Sequence, residues 1–153
     1  MNDASRSCVS SVPVYEVRRV RLIEVREKCD HPDAAAVIAK RELRGLDRER
    51  VLAIYVNAQN AVMGFETVAI GFENGCGATL TTLFRGAILA GAKAIIVAHN
   101  HPSGELVVSA EDRELLVAAK AAGKVIGCPL IDFLIIADDG RHIGMEVVEL
   151  GGP

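Results

Sequence analysis

Five consecutive apolar residues, Ala94-Ile-Ile-Val-Ala98, run directly into His99-Asn-His-Pro102. A strand with one wet face alternates apolar and polar side chains, so an unbroken apolar run demands cover on both faces. That single stretch points to a central strand of a sheet with helices packed over it, an α/β arrangement. Pro102 ends the strand, and Pro102-Ser-Gly104 reads as a tight turn beyond it. Side chains alternate along a strand with period two, so His99 and His101 leave on one face and Asn100 on the other. Two imidazoles on one face at a strand end can share one metal ion.

The flanking pattern supports the sheet. Val51-Leu-Ala-Ile-Tyr-Val56 reads as a short strand, Asn57-Ala-Gln-Asn60 as a turn, and Ala61 to Phe72 as the returning strand of a hairpin. A helix from Thr79 or Thr82 carries Leu83, Phe84, Ala87, Ile88 and Leu89 and stops at Gly91. A second helix runs from Ser109 to Ala122, with Leu115, Leu116, Ala118 and Ala119 inward and Gly123 as its stop. Leu130 to Ala137 is a further strand, Asp138-Asp-Gly140 a turn, and Arg141 to Val148 a closing strand. Before all of this, Pro32 opens a helix that ends at Gly45, and Val12 to Glu27 reads as one strand or two short ones. The sum is a mixed β-sheet flanked by helices in a single domain. Its expected parts are a disordered tail over 1–11, a strand-helix segment over 12–50 and the main domain over 51–153.

Composition excludes more than it identifies. Half of the 153 residues are hydrophobic, which rules out a chain disordered throughout. No apolar run reaches the ~18 residues of a membrane span, and the first residues lack a signal-peptide core, so a cytoplasmic protein is expected. Residues 1–50 hold 11 basic against 9 acidic side chains, and residues 51–153 hold 6 against 11. With only 4% aromatic residues and a net charge of −3, the chain is not expected to take nucleic acid as a partner. The four cysteines are 21, 47 and 52 residues apart, too far for a C-x-x-C zinc site, and read as buried free thiols.

Ser109 opens the helix and Asp112 falls in its first turn. Ser-x-x-Asp is a capping-box pattern, and that structural role does not prevent the carboxylate from also facing the imidazoles. Two histidines and a carboxylate form a donor set suited to Zn²⁺ with one position left for water. His31 and His142 read as surface, cap or strand residues rather than ligands. A zinc deaminase would need H-x-E with a later P-C-x-x-C, and neither is present.

His99-x-His101-x₇-Ser109-x₂-Asp112 resembles the JAMM (MPN-type) metalloprotease motif without a gap. The wording His99-Asn-His-Pro-Ser-Gly104 resembles the bacterial RadC-like JAB-domain branch, and the resemblance extends over residues 47 to 148. It implies the layered MPN/JAB architecture, akin to cytidine deaminases. It also implies zinc held by His99, His101 and Asp112, and hydrolysis of a peptide or isopeptide bond in a protein substrate. It further implies that Ser109 hydrogen-bonds the oxyanion and that a glutamate on an upstream strand is the general base. Glu66, five residues before Gly71, is the expected base; Glu73, in the Glu73-Asn-Gly75 turn, is its competitor.

The chain departs from the branch at Glu105-Leu-Val-Val108, where a Pro-Thr-Pro-like loop is usual, and at Phe133, where a histidine is frequent. Residues 1–50 lack the paired Gly-containing turns of the helix-hairpin-helix region through which RadC proteins are linked to DNA. Two alternatives stand beside the enzyme: a non-catalytic MPN-like scaffold and a RadC-type accessory protein of DNA repair. Pairing between chains through strands of the N-terminal segment would give a homo-oligomer.

Overall fold

The computed structural model describes residues 32–71 and 77–146. The expected tail, the strands between Val12 and Glu27, His31, Glu73, and residues 147 and 148 of the closing strand lie outside them. Helix α1 (Pro32–Leu43) comes first, followed by strands β1 (Arg50–Val56) and β2 (Val62–Ile70). Next come α2 (Leu80–Ala90), β3 (Ala94–His101), α3 (Ala110–Ile126), β4 (Leu130–Ala137) and β5 (His142–Glu146).

Among the described residues, five strands form one sheet in the order β2-β1-β3-β4-β5. β3 is its middle strand, as the apolar run requires. It pairs antiparallel with β1 and parallel with β4, while β1–β2 and β4–β5 are antiparallel hairpins. A parallel neighbour cannot be reached by a tight turn, which is why α3 crosses over between β3 and β4. The sheet is mixed for that reason alone.

Period-two alternation splits the core into two layers. Leu52, Ile54 and Val56 of β1, Ile96 and Ala98 of β3, and Leu134 and Ile136 of β4 face α1. Val51, Ala53 and Tyr55, then Ile95 and Val97, then Phe133 and Ile135 face α2 and α3. The sheet is thus the filling between one helix and two. Fully burying each of these Leu, Ile or Phe side chains contributes roughly 1.5–3 kcal/mol, so both layers are needed to offset the chain entropy of so small a domain. Among the described residues no helix is long and apolar enough to cross a membrane.

One helix boundary differs from the expectation. α3 does not stop at Gly123 but continues to Ile126, and Gly127, at φ 75°, provides the left-handed C-cap. Gly123 is buried within the helix because the chain folds back against it: a Cβ there would lie 2.8 Å from the Cys128 carbonyl oxygen and 3.0 Å from the Leu130 nitrogen. Its glycine serves close packing of α3 on the start of β4, not termination. Gly123→Ala must displace backbone rather than a flexible side chain, and thermal unfolding should show a loss of about 1–3 kcal/mol. An unchanged melting temperature would contradict this account of the packing.

Candidate metal centre

The site forms where β3 runs out of the sheet. His99 and His101 leave it on the same face, the one shared with Val97 and Ile95, and their rings meet edge-to-face with centroids 4.8 Å apart. After the Pro102 turn the chain re-enters at the N-terminus of α3, where Ser109 is the N-cap. Ser109 Oγ accepts from the Asp112 N–H at 3.0 Å, and the Asp112 carboxylate accepts from the Ser109 N–H at 3.0 Å, a reciprocal capping box. The cap fixes Asp112 in the first turn and aims it at the imidazoles.

Asp112 is the hub of the cluster. Its Oδ1 lies 2.9 Å from His99 Nδ1, and its Oδ2 lies 3.6 Å from His101 Nε2 and accepts the Ser109 hydroxyl proton at 2.7 Å. Burial pushes its pKa up, but the facing His101 imidazole and the bonds with His99 and Ser109 outweigh that and hold the carboxyl well below the usual range. The expected trio of His99, His101 and Asp112 is therefore brought together, with Ser109 beside it. Ser109 spends its one proton on Asp112 in this arrangement.

Hydrogen bonding also selects the tautomers. A carboxylate and a carbonyl can only accept, so His99 Nδ1 donates to Asp112 and His101 Nδ1 donates to the Glu105 carbonyl at 2.9 Å. In the neutral rings that leaves both Nε2 atoms with a free lone pair. His99 Nε2 is buried and has no hydrogen-bond partner. A buried polar atom without a partner costs free energy, and a cation bound there would remove that cost. The donor chemistry fits zinc as well as it fits the family expectation.

A fourth residue completes the cluster. Glu49 Oε2 is 3.6 Å from His99 Nε2, and ligand atoms of Glu49, His99 and His101 all lie within 4.8 Å of one another. Together with Asp112 they border an open cleft of about 970 Å³, also lined by Leu80, Val107 and Leu115. Glu66, expected as the base, is not brought to this cluster. It pairs in register with Ala53 from β2, with all of β1 between it and β3. Two strand spacings, about 10 Å, separate it laterally from the histidines. Its carboxylate instead accepts the Tyr55 hydroxyl at 3.0 Å and pairs with Arg85 of α2. Burial and the neighbouring Glu66 push the Tyr55 hydroxyl pKa well above its usual value, so Tyr55 stays a donor.

Glu49 was concealed in Asp47-Arg-Glu-Arg50, which reads as a solvated charge run. The signal that finds it is period two: Glu49 stands two residues before Val51, and Val51 shares its face with Ala53, Tyr55 and, across the ladder, His99. His142, at the start of β5 opposite Ile136, takes no part.

The cluster has a pH signature in chelator-stripped protein. The Asp112 carboxylate facing its Nε2 raises the His101 pKa, and burial only partly opposes it. A raised folded pKa contributes stability that is complete below the unfolded value of about 6.5 and disappears as pH rises through the folded value. The melting-temperature gap between wild type and His101→Gln should therefore narrow from about pH 5 to about pH 9. A gap independent of pH would contradict the pairing.

The sequence model of the RadC-like JAB domain family matches residues 29–149. Curated relatives include a UPF0758 protein of Desulforudis audaxviator, 37% identical over 108 residues, covering 71% of this chain and 47% of that one. A UPF0758 protein of Carboxydothermus hydrogenoformans is 37% identical over 103 residues, 67% of this chain and 45% of that one. Another, of Chloroflexus aurantiacus, is 34% identical over 129 residues, 84% of this chain and 56% of that one. The chain thus spans about half the length of the curated relatives it matches. Fold, motif and match agree, and the chain belongs to the RadC-like JAB domain family.

Proposed function

We propose that this domain is a zinc-dependent peptidase or isopeptidase that hydrolyses an amide bond in a protein or peptide substrate. The observation that carries the reading is the buried, unpartnered His99 Nε2, set beside His101 and two carboxylates at the floor of an open cleft. His99 and His101 would hold the ion through their Nε2 atoms, with Asp112 as the third donor of the family's set. When bound, zinc polarises the scissile carbonyl and makes a water acidic enough to ionise near pH 7.

The protein's own groups divide the remaining work. Glu49, in place of Glu66, takes a proton from the attacking water and returns it to the leaving amine. It is the one carboxylate of the cluster that is substantially open to solvent, which suits a group that must meet both water and substrate. The Glu105 carbonyl holds the His101 ring in the tautomer that presents Nε2, and Asp112 does the same for His99. Ser109 has its hydroxyl at the cleft wall; turning it away from Asp112 would let it donate to a developing oxyanion, worth on the order of 3 kcal/mol.

Protein purified without chelators should contain about one zinc per chain by elemental analysis, and His99→Ala should lose it. Against a mixed peptide library read by mass spectrometry, Glu49→Gln should slow cleavage about 10²–10⁴-fold with zinc retained. Glu66→Gln should cleave as wild type does. Absence of zinc, or loss of cleavage in Glu66→Gln but not in Glu49→Gln, would overturn the reading.

A further inference from the structure

β1 and β3 pair antiparallel from Val56 opposite Ala94 to Val51 opposite His99. The next pair in that register is Arg50 with Asn100, and there a side chain replaces the backbone ladder. The buried Asn100 carboxamide accepts the Arg50 N–H through Oδ1 at 2.7 Å and donates through Nδ2 to the Arg48 carbonyl at 3.0 Å. An N–H only donates and a carbonyl only accepts, so the two partners fix which way the amide faces. Both bonds go to main chain, one on each side of Glu49. From the other edge of β1, the Gly71 N–H donates to the Glu49 carbonyl at 2.7 Å.

The Glu49 backbone is thus held at three points while its carboxylate reaches the histidines. The clamp needs a donor and an acceptor on one short, planar group: aspartate lacks the donor, and alanine lacks both. Asn100 also sits between His99 and His101, so the segment that presents the imidazoles on one face of β3 fixes the acid strand through the other.

We propose that Asn100 is a positioning residue that sets where the Glu49 carboxylate stands over the imidazole pair. The metal arm of its test rests on the proposed metal site; the structural arm does not. Crystal structures of metal-free Asn100→Ala should keep the His99, His101 and Asp112 side chains in place but show Glu49 displaced from His99 Nε2. In solution, Asn100→Ala should weaken Co²⁺ binding about 10-fold, because the Glu49 carboxylate, though not one of the three donors, would lose the position from which its charge attracts the cation. In a Glu49→Ala background the same change should cost less than about 2-fold, because the group it acts through is gone.

Asn100→Ser, neutral and too short to reach both main-chain partners, stands in for the alanine variant if that one does not fold. A Glu49 carboxylate unmoved in the variant crystal, or an equal loss of cobalt affinity with and without Glu49, would overturn the proposal. If wild type takes up no cobalt, the metal site fails, and the crystal comparison still decides the role of Asn100.

Discussion

The Asp112 carboxylate is the point on which the site depends. It joins the end of β3 to the first turn of α3 by meeting His99 and His101 on one side and the Ser109 cap on the other. Four partners on one buried carboxylate leave little freedom to any of them. Removing it would strand two imidazoles and open the first turn of α3 together, so local helix formation and the geometry of the histidine cluster are one problem in this fold. Buried charge clusters of this kind are costly when incomplete, so loss of any one member leaves the others poorly compensated.

Much of this was legible in the sequence because it depends on local periodicity. The unbroken run Ala94–Ala98 could only be a strand covered on both faces, and the structure puts it at the middle of the sheet with α1 on one side and α2 and α3 on the other. His-x-His at its end fixed a shared face, and Ser-x-x-Asp fixed the helix start. These inferences need only neighbours within a turn or a few residues of a strand.

Which upstream carboxylate stands beside the histidines was not legible in the same way, because its place is set by strand pairing. Glu66 lies on a strand and faces the same side of the sheet as the histidines, yet it is two columns away from them, because β1 stands between β2 and β3. Glu49 looks like a surface charge until the antiparallel register of β1 on β3 brings the residue two before Val51 next to His99. Gly123 illustrates the same limit. A glycine near the end of an amphipathic run suggests a stop, and only the return of the chain over Cys128 and Leu130 reveals its packing role.

The central claim is that the Nε2 atoms of His99 and His101 are directed at a common cation. The most direct measurement is anomalous diffraction at the zinc edge from crystals of the protein grown with zinc. A single strong peak bonded to both Nε2 atoms, at about 2.0–2.1 Å from each, is the predicted result. A peak held elsewhere, or none in the presence of zinc, with His99 Nε2 still unpartnered, would contradict it.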